Sequence, residues 1–202
     1  MTDIRSADSI LEFWFGTDPD DDATAKAQGK LWWAKNPAVD GEIRTRFGAT
    51  VQAAAFGGCA DWAATPRGRL ALIILFDQFP RNMHRNSPRA FAYDSEARRL
   101  ALEGIAARAD QALRPIERVF CYLPLEHSED LAHQDQCVAL YVALAAGVPP
   151  ALRATFAGYV DFAERHRAII RRFGRFPHRN AALGRTSTAE EIAFLKEPGS
   201  SF

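Results

Sequence analysis

Two copies of a short polar sequence carry the groups best suited to chemistry in this 202-residue chain. Asp-Gln-Phe-Pro-Arg-Asn occupies positions 77–82, and Arg-Phe-Pro-His-Arg-Asn occupies positions 175–180. We call residues 77–82 the first corner and residues 175–180 the second corner. Arginine offers five hydrogen-bond donors in a rigid fork, and asparagine offers both a donor and an acceptor. Two such corners facing each other would form a polar pocket that favours anions.

A third polar segment, Glu-His-Ser-Glu-Asp-Leu-Ala-His-Gln-Asp at 126–135, contributes acids and imidazoles. A helix starting at Leu125 would place Glu126, Glu129, Asp130 and His133 on one face. Such a stripe could ligate a metal, but carboxylate-bridged bundles repeat a Glu-x-x-His pattern on a second helix, and this sequence does not. With Ser128 as an N-cap instead, Glu126 would leave the stripe. We therefore assign no metal site and no cofactor.

Residues 165–185 hold seven arginines and no acidic residue, whereas residues 126–135 hold four acids. One interpretation is a closed network of arginine–carboxylate pairs with a purely structural role, because buried charges must be paired. In the other, the carboxylates orient some of the cationic groups, and the remaining donors face a cleft for a phosphate- or carboxylate-bearing ligand. His127 or His178 could then act as an acid or a base.

The second interpretation defines a set of candidate ligand-binding residues. They are Asp77, Arg81, Asn82, Glu126, His127, Glu129, His178, Arg179, Asn180 and Arg185. In this interpretation Arg179→Ala abolishes anion binding and keeps the helical circular dichroism signal, whereas collapse of the fold would favour the structural network. The sequence has no phosphate-binding loop, nucleophile elbow or dinucleotide fingerprint, and Ser128 is interpreted as a cap. The sequence leaves open whether the protein is an enzyme.

Composition narrows the class of protein. The chain is 48% hydrophobic and 25% charged, as is typical of soluble globular proteins, and its formal net charge is zero. Zero net charge argues against nucleic-acid and membrane-surface partners. The longest apolar run, residues 70–76, is too short to span a bilayer, and the N-terminus lacks a signal peptide. Three scattered cysteines form no disulfide framework, so we expect a cytoplasmic protein.

Local signals predict helices throughout. Caps, glycines and prolines delimit them at about 6–16, 23–35, 39–56, 66–79, 94–109, 115–123, 125–146, 150–173 and 188–195. Ser6 and Thr65, the latter followed by Pro66, are predicted N-caps, and Ser187 with Glu190 is a predicted capping box for the last helix. The segment 70–76 is apolar on all sides, which indicates the central helix. The expected structure is a single all-α domain over residues 1–202, with antiparallel helix pairs arranged as a bundle or a solenoid-like stack.

Three longer motifs carry a resemblance to a known family. They are Leu-Ala-Leu-Ile-Ile-Leu-Phe followed by the first corner, Tyr-Leu-Pro-Leu-Glu-His-Ser-Glu-Asp at 122–130, and Phe-Gly-Arg-Phe-Pro-His-Arg-Asn at 173–180 with Leu-Gly-Arg at 183–185. They resemble the bacterial family known as domain of unknown function 924, and the resemblance extends from about residue 11 to residue 195. It implies a TPR-like fold of eight or nine helices, and it implies no particular activity.

A protein or peptide partner is the alternative to a small ligand. TPR-like helical stacks commonly present concave surfaces to peptides. Trp14, Trp32, Trp33 and Trp62 are the candidate aromatic anchors, unless all four fill the core. Because Trp32 and Trp33 are adjacent, their side chains project about 100° apart on a helix, and one of them is expected to be partly exposed.

Overall fold

The computed structural model describes residues 4–201, and within this range every regular element is helical. The α-helices are α1 (Ala7–Phe15), α2 (Asp21–Trp33), α3 (Pro37–Ala55), α4 (Pro66–Ile73), α5 (Phe79–Met83), α6 (Asp94–Ala106), α7 (Pro115–Glu126), α8 (Leu131–Gly147), α9 (Arg153–Phe173) and α10 (Ala189–Phe194). The predicted all-α class is confirmed. Stacking of helix pairs as in TPR arrays, and a single domain over the whole chain, stay predictions.

Most helix starts follow the predicted capping residues. The Ser6 hydroxyl accepts a hydrogen bond from the N–H of Ser9, and α1 ends at Gly16, which has a φ of 72°. Thr65 caps α4, with a proline in the first turn. The predicted capping box of α10 was one residue too early. It is formed by Thr188 and Glu191, because Glu191 is also held by an ion pair with Arg175.

The helix that leads into the first corner does not stop at Pro80, which corrects the prediction. A π-helical turn, Ile74–Gln78, joins α4 to α5, and the N–H of Phe79 donates to the carbonyl of Ile74, five residues earlier. Pro80 then lies in the first turn of α5, where its missing N–H is tolerated. The π turn is a widened segment of one continuous helical rod, and such turns are frequent at functional sites.

The second prediction to be corrected is the helix boundary at Pro124. Helix α7 continues through Pro124 to Glu126, and α8 begins only at Leu131, with Asp130 as its N-cap. The side chain of Gln134 fixes the intervening turn, because its amide donates to the carbonyls of Glu126 and Ser128. The proposed stripe on one helix therefore does not exist, and residues 127–130 form a turn.

The central position predicted for residues 70–76 is confirmed. These side chains are almost completely buried, and α4 packs against α1, α6 and α7. Cys121 and Cys137 are buried in the same core, as expected for small apolar side chains. Among residues 4–201, no helix combines the length and apolar character that crossing a membrane requires.

Gly68 lies where the chain turns into this central rod. A Cβ at Gly68 would approach the Trp62 carbonyl oxygen to 2.2 Å and the Thr65 hydroxyl to 2.8 Å. We expect Gly68→Ala to lower the free energy of unfolding by about 2 kcal/mol, because backbone has to move. Gly29→Ala is the matched control: an added Cβ would meet nothing within 4 Å beyond its own stretch of helix, and alanine there should stabilise α2 by about 0.5–1 kcal/mol. Urea unfolding checks both values, and equal effects would contradict the prediction.

Candidate functional site

Two of the three predicted polar segments, the acidic segment 126–135 and the second corner, line one cleft, and the first corner does not. The turn after α7, the start of α6 and the 3₁₀ turn Pro177–Arg179 surround a volume of about 420 Å³. We call this volume the cleft. Its lining residues are Phe91, Asp94, Arg98, His127, Ser128, Glu129, Asp130, His133, Arg179 and Leu183. Three of the ten predicted residues therefore lie directly on it: His127, Glu129 and Arg179.

Asp77 and His127 form a dyad at the inner wall of the cleft. Asp77 is fully buried in the π turn, and His127 Nδ1 lies 2.8 and 3.0 Å from its two carboxylate oxygens. Burial opposes ionisation of Asp77, but the charge of Arg81 and the contact with His127 hold its pKa well below the usual range. A carboxylate that is ionised at neutral pH can then fix the orientation of the imidazole.

Arg81 links the dyad to α6. Its two terminal nitrogens bond both carboxylate oxygens of Asp94, at 2.7 and 2.9 Å, and Nη1 also donates to the backbone carbonyl of Asp77 at 2.7 Å. Such a two-pronged pair is a strong, oriented contact. Arg81 is thus occupied by internal partners, and it supports the cleft from behind without lining it.

Arg179 is held between two aromatic rings. Its guanidinium carbon lies 4.9 Å from the Phe91 ring centroid and 4.4 Å from that of Phe176. Nη1 donates to the His127 carbonyl at 2.9 Å, and Nε is buried with no hydrogen-bond acceptor in residues 4–201. Nη1 also lies 3.6 Å from Oδ2 of Asp94, whereas Nη2 donates to none of the described residues, and Arg179 lines the cleft. Burial and the charge of Arg81 lower the Arg179 pKa to about 10, so the side chain remains charged at neutral pH.

Glu129 and Arg185 neutralise each other at the rim. Arg185 donates to both carboxylate oxygens of Glu129, at 2.6 and 2.9 Å, and its Nε donates to the side-chain oxygen Oδ1 of Asn180. The backbone N–H of Phe176 completes the shell of Glu129 at 2.8 Å. For this pair the structural-network interpretation is sufficient, because all three nitrogens of Arg185 have acceptors.

Three predicted residues lie away from the cleft. The amide of Asn82 donates to Asp40, which also pairs with Arg85, so Asn82 ties α5 to α3. The Asn180 amide donates to Ser187 and Glu191. His178 packs its ring 5.5 Å from that of Phe176, and burial lowers its pKa to about 4. The two corners are therefore similar in sequence, but their corresponding residues contact different partners.

Glu126 lies behind the dyad in a dry environment. One carboxylate oxygen is 3.2 Å from His166 Nδ1, and both residues are buried. Burial and the nearby negative charge of Asp77 raise the Glu126 pKa to about 8. Burial lowers the His166 pKa to about 3, so both groups are predominantly neutral at pH 7.

The sequence reasoning missed several lining residues. Asp94 and Arg98 lie one turn apart on α6, a helix that carries no motif. Arg98 makes no ion pair with any other residue in the described range 4–201, in contrast to its neighbour Arg99, which pairs with Glu96 and Glu103. The sequence offered one signal, the acidic residue in the first turn of α6. That signal is not specific, because carboxylates are common at this position for structural reasons alone.

Ser128 and His133 lie on the cleft in contact with each other. The hydroxyl of Ser128 is 3.0 Å from His133 Nδ1 and accepts a hydrogen bond from the N–H of Asp130. These local contacts hold the turn before α8, although Asp130 and not Ser128 is the N-cap. No cluster of three or more potential metal-ligating side chains occurs among residues 4–201.

Comparisons with known proteins agree with the predicted resemblance. The family model described as "Bacterial protein of unknown function (DUF924)" matches residues 10–199. The solved structure of a protein of unknown function from Agrobacterium tumefaciens is 38% identical, with a TM-score of 0.80 over 94% of this chain and 96% of that one. Comparison with curated proteins gives no significant match. The similarity therefore extends over nearly the whole chain in both sequence and fold.

Proposed function

Since the chain belongs to the DUF924 family of bacterial proteins of unknown function, we propose a function from the site itself: the cleft binds a small anionic ligand that carries a phosphate or a carboxylate. The observation that carries the proposal is the convergence of two arginines with unused donors. Arg98 approaches from α6 and Arg179 from the 3₁₀ turn after α9. Guanidinium groups are the protein's preferred partners for both kinds of anion.

Internal pairing supports the proposal because it removes most of the negative charge near the cleft. Asp94 is bonded on both oxygens by Arg81, and Glu129 on both oxygens by Arg185. Asp130, the remaining acid, is an exposed N-cap at the rim. The donors of Arg98 and Nη2 of Arg179 are left for a ligand, and the buried wall around Arg179 limits competition by water.

The first test is anion binding by arginine variants. We expect isothermal titration with inorganic phosphate and with succinate, at low ionic strength, to detect binding to the wild-type protein. Arg98→Ala should weaken it by about ten-fold or more, because a charged hydrogen bond is lost, and Arg179→Ala should abolish it. Both variants should keep the helical circular dichroism signal.

Arg99→Ala is the matched control, because Arg99 is the next residue on α6 and pairs with Glu96 and Glu103 on the helix surface. It should bind like the wild type. Equal losses in Arg98→Ala and Arg99→Ala would indicate only a general charge effect. Loss of the helical signal in Arg179→Ala would instead favour the purely structural network.

The alternative function, a docking surface for a protein or peptide, draws its support from Trp33. Trp33 is 53% exposed whereas Trp32 is 8% exposed, which confirms that one of the two adjacent tryptophans faces solvent. However, the Trp33 ring stacks on Phe120 at 5.7 Å and contacts Tyr159 at 6.1 Å, so it also closes the edge of the core. This local role accounts for Trp33 without a partner, and the anion site is the better supported function.

A further inference from the structure

The Asp77–His127 dyad determines which nitrogen of His127 can react. An ionised carboxylate can only accept hydrogen bonds, so Nδ1 of His127 must carry the proton that Asp77 accepts. The neutral imidazole then presents the lone pair of Nε2. This atom makes no hydrogen bond to any residue in the range 4–201, and His127 lines the cleft. The dyad thus offers a base with a fixed orientation to whatever occupies the cleft.

The charged and titratable groups around His127 favour its neutral form. Burial and the positive charge of Arg81 lower the His127 pKa below its usual value, and Arg179 acts in the same direction, whereas Asp77 opposes them. On the remaining side, the ring of His166 lies 6.3 Å away, and Glu126 is the preceding residue on α7. A histidine that is unprotonated at neutral pH is suited to be a general base.

His127, the base, is also in direct contact with Arg179, one of the two arginines proposed to bind the anion. Arg179 lines the same cleft and donates from Nη1 to the backbone carbonyl of His127, while its Nη2 donates to none of the described residues. Arg98 lines the cleft from a different element, α6. Donors from two directions match the non-bridging oxygens of a phosphate group, and a fixed spacing between base and donors favours reaction over simple binding.

We propose that the cleft hydrolyses a small phosphate ester, with His127 as the general base and Asp77 as its positioning residue; this inference rests on the anion-binding function proposed above. A water molecule gives a proton to Nε2 while its oxygen forms a bond to phosphorus. The bond from phosphorus to the leaving oxygen breaks, the leaving oxygen takes a proton from solvent where it is basic enough to need one, and the imidazolium gives its proton to solvent. The products are an alcohol and a phosphate with one ester bond fewer, and His127 is neutral again.

The test measures release of p-nitrophenolate from bis(p-nitrophenyl) phosphate and from p-nitrophenyl phosphate, in buffer with EDTA to suppress contaminating phosphatases. We expect the wild type to hydrolyse at least one ester, and the diester and monoester measurements distinguish the two substrate types. His127→Gln should reduce turnover by about 100-fold or more, because glutamine can bond Asp77 but cannot accept the proton. Arg99→Ala, purified in parallel, should retain wild-type turnover.

The variant Asp77→Asn tests whether Asp77 orients His127 without removing a hydrogen-bonding side chain from the buried site. Asparagine can donate to Nδ1 and so moves the proton to Nε2, which should lower turnover by ten-fold or more and change the imidazole tautomer seen by ¹⁵N NMR. The kcat/KM of the wild type should fall on the acid side, with an apparent pKa below the usual value of a histidine, because burial lowers the pKa of His127.

Phosphate titration makes the two possible failures distinguishable. If phosphate binds but neither ester is hydrolysed faster by the wild type than by His127→Gln, the hydrolytic proposal is wrong and the binding function stands. If neither phosphate nor succinate binds, the anion-binding function itself is wrong. An unchanged tautomer with normal turnover in Asp77→Asn would remove Asp77 from the proposal.

Discussion

Asp77→Ala is expected to lower the free energy of unfolding by about 3–5 kcal/mol at pH 7, because it removes one partner from a buried charge network. Asp77 has no solvent exposure and accepts hydrogen bonds from Gln78 and His127. Its carboxylate also lies 3.3 Å from the Arg81 guanidinium. Without it, Arg81 keeps Asp94 as a partner, but the amide of Gln78 and Nδ1 of His127 lose their acceptor in a dry interior.

Urea unfolding followed by circular dichroism measures this change in stability. Asp161→Ala is the matched control, since Asp161 forms an exposed pair with Arg165 one turn along α9. It should change the stability by about 0.5 kcal/mol or less. A similarly small effect of Asp77→Ala would mean that water enters the π turn and that Asp77 is not held in a dry network.

Glu126→Gln is expected to stabilise the protein in alkaline solution, by an amount that grows with pH. The folded-state pKa of Glu126, about 8, lies above the value of 4.5 for an unperturbed carboxyl. The stability associated with the protonated carboxyl is therefore fully present below pH 4.5 and is lost as the pH rises to about 8. The loss over that range is on the order of 4 kcal/mol, and glutamine, which mimics the protonated acid, should avoid it.

The measurement is the difference in unfolding free energy between Glu126→Gln and the wild type, at several pH values from 4.5 to 8.5. Taking the difference removes the contributions of other titrating groups near the site, among them Asp77, His166 and Tyr141. Glu42→Gln, at an exposed pair with Arg46 on α3, is the control for removing a surface carboxylate and should change the stability by about 0.5 kcal/mol or less. A difference that does not grow with pH would mean that Glu126 is ionised and paired with a protonated His166.

Local signals were enough to predict the helical architecture. The Ser6 cap, the Thr65 cap with its following proline and the apolar segment 70–76 all lie where they were predicted. These signals depend on residues within about four positions of one another, and so they can be recognised in the sequence alone.

The predicted helix ends at two prolines are wrong. The sequence predicts helix ends at Pro80 and Pro124, but both prolines lie within helices in the structure. An interior proline removes one backbone hydrogen bond and costs about 3 kcal/mol, a penalty that burial of the surrounding segment can offset. For Pro80 the π turn also widens the helix locally. Neither compensation leaves a mark in the neighbouring residues, because both depend on packing against other helices.

The sequence by itself determined the helical class, the central helix and the segments that supply polar groups to one region, since these follow from side-chain type and short-range spacing. The tertiary structure decided which charges neutralise each other. Asp94 pairs with Arg81, and Glu129 pairs with Arg185, 56 residues away. Ion pairing depends on distance in space and on burial, which the fold sets, and so only the structure leaves Arg98, Arg179 and His127 facing the cleft.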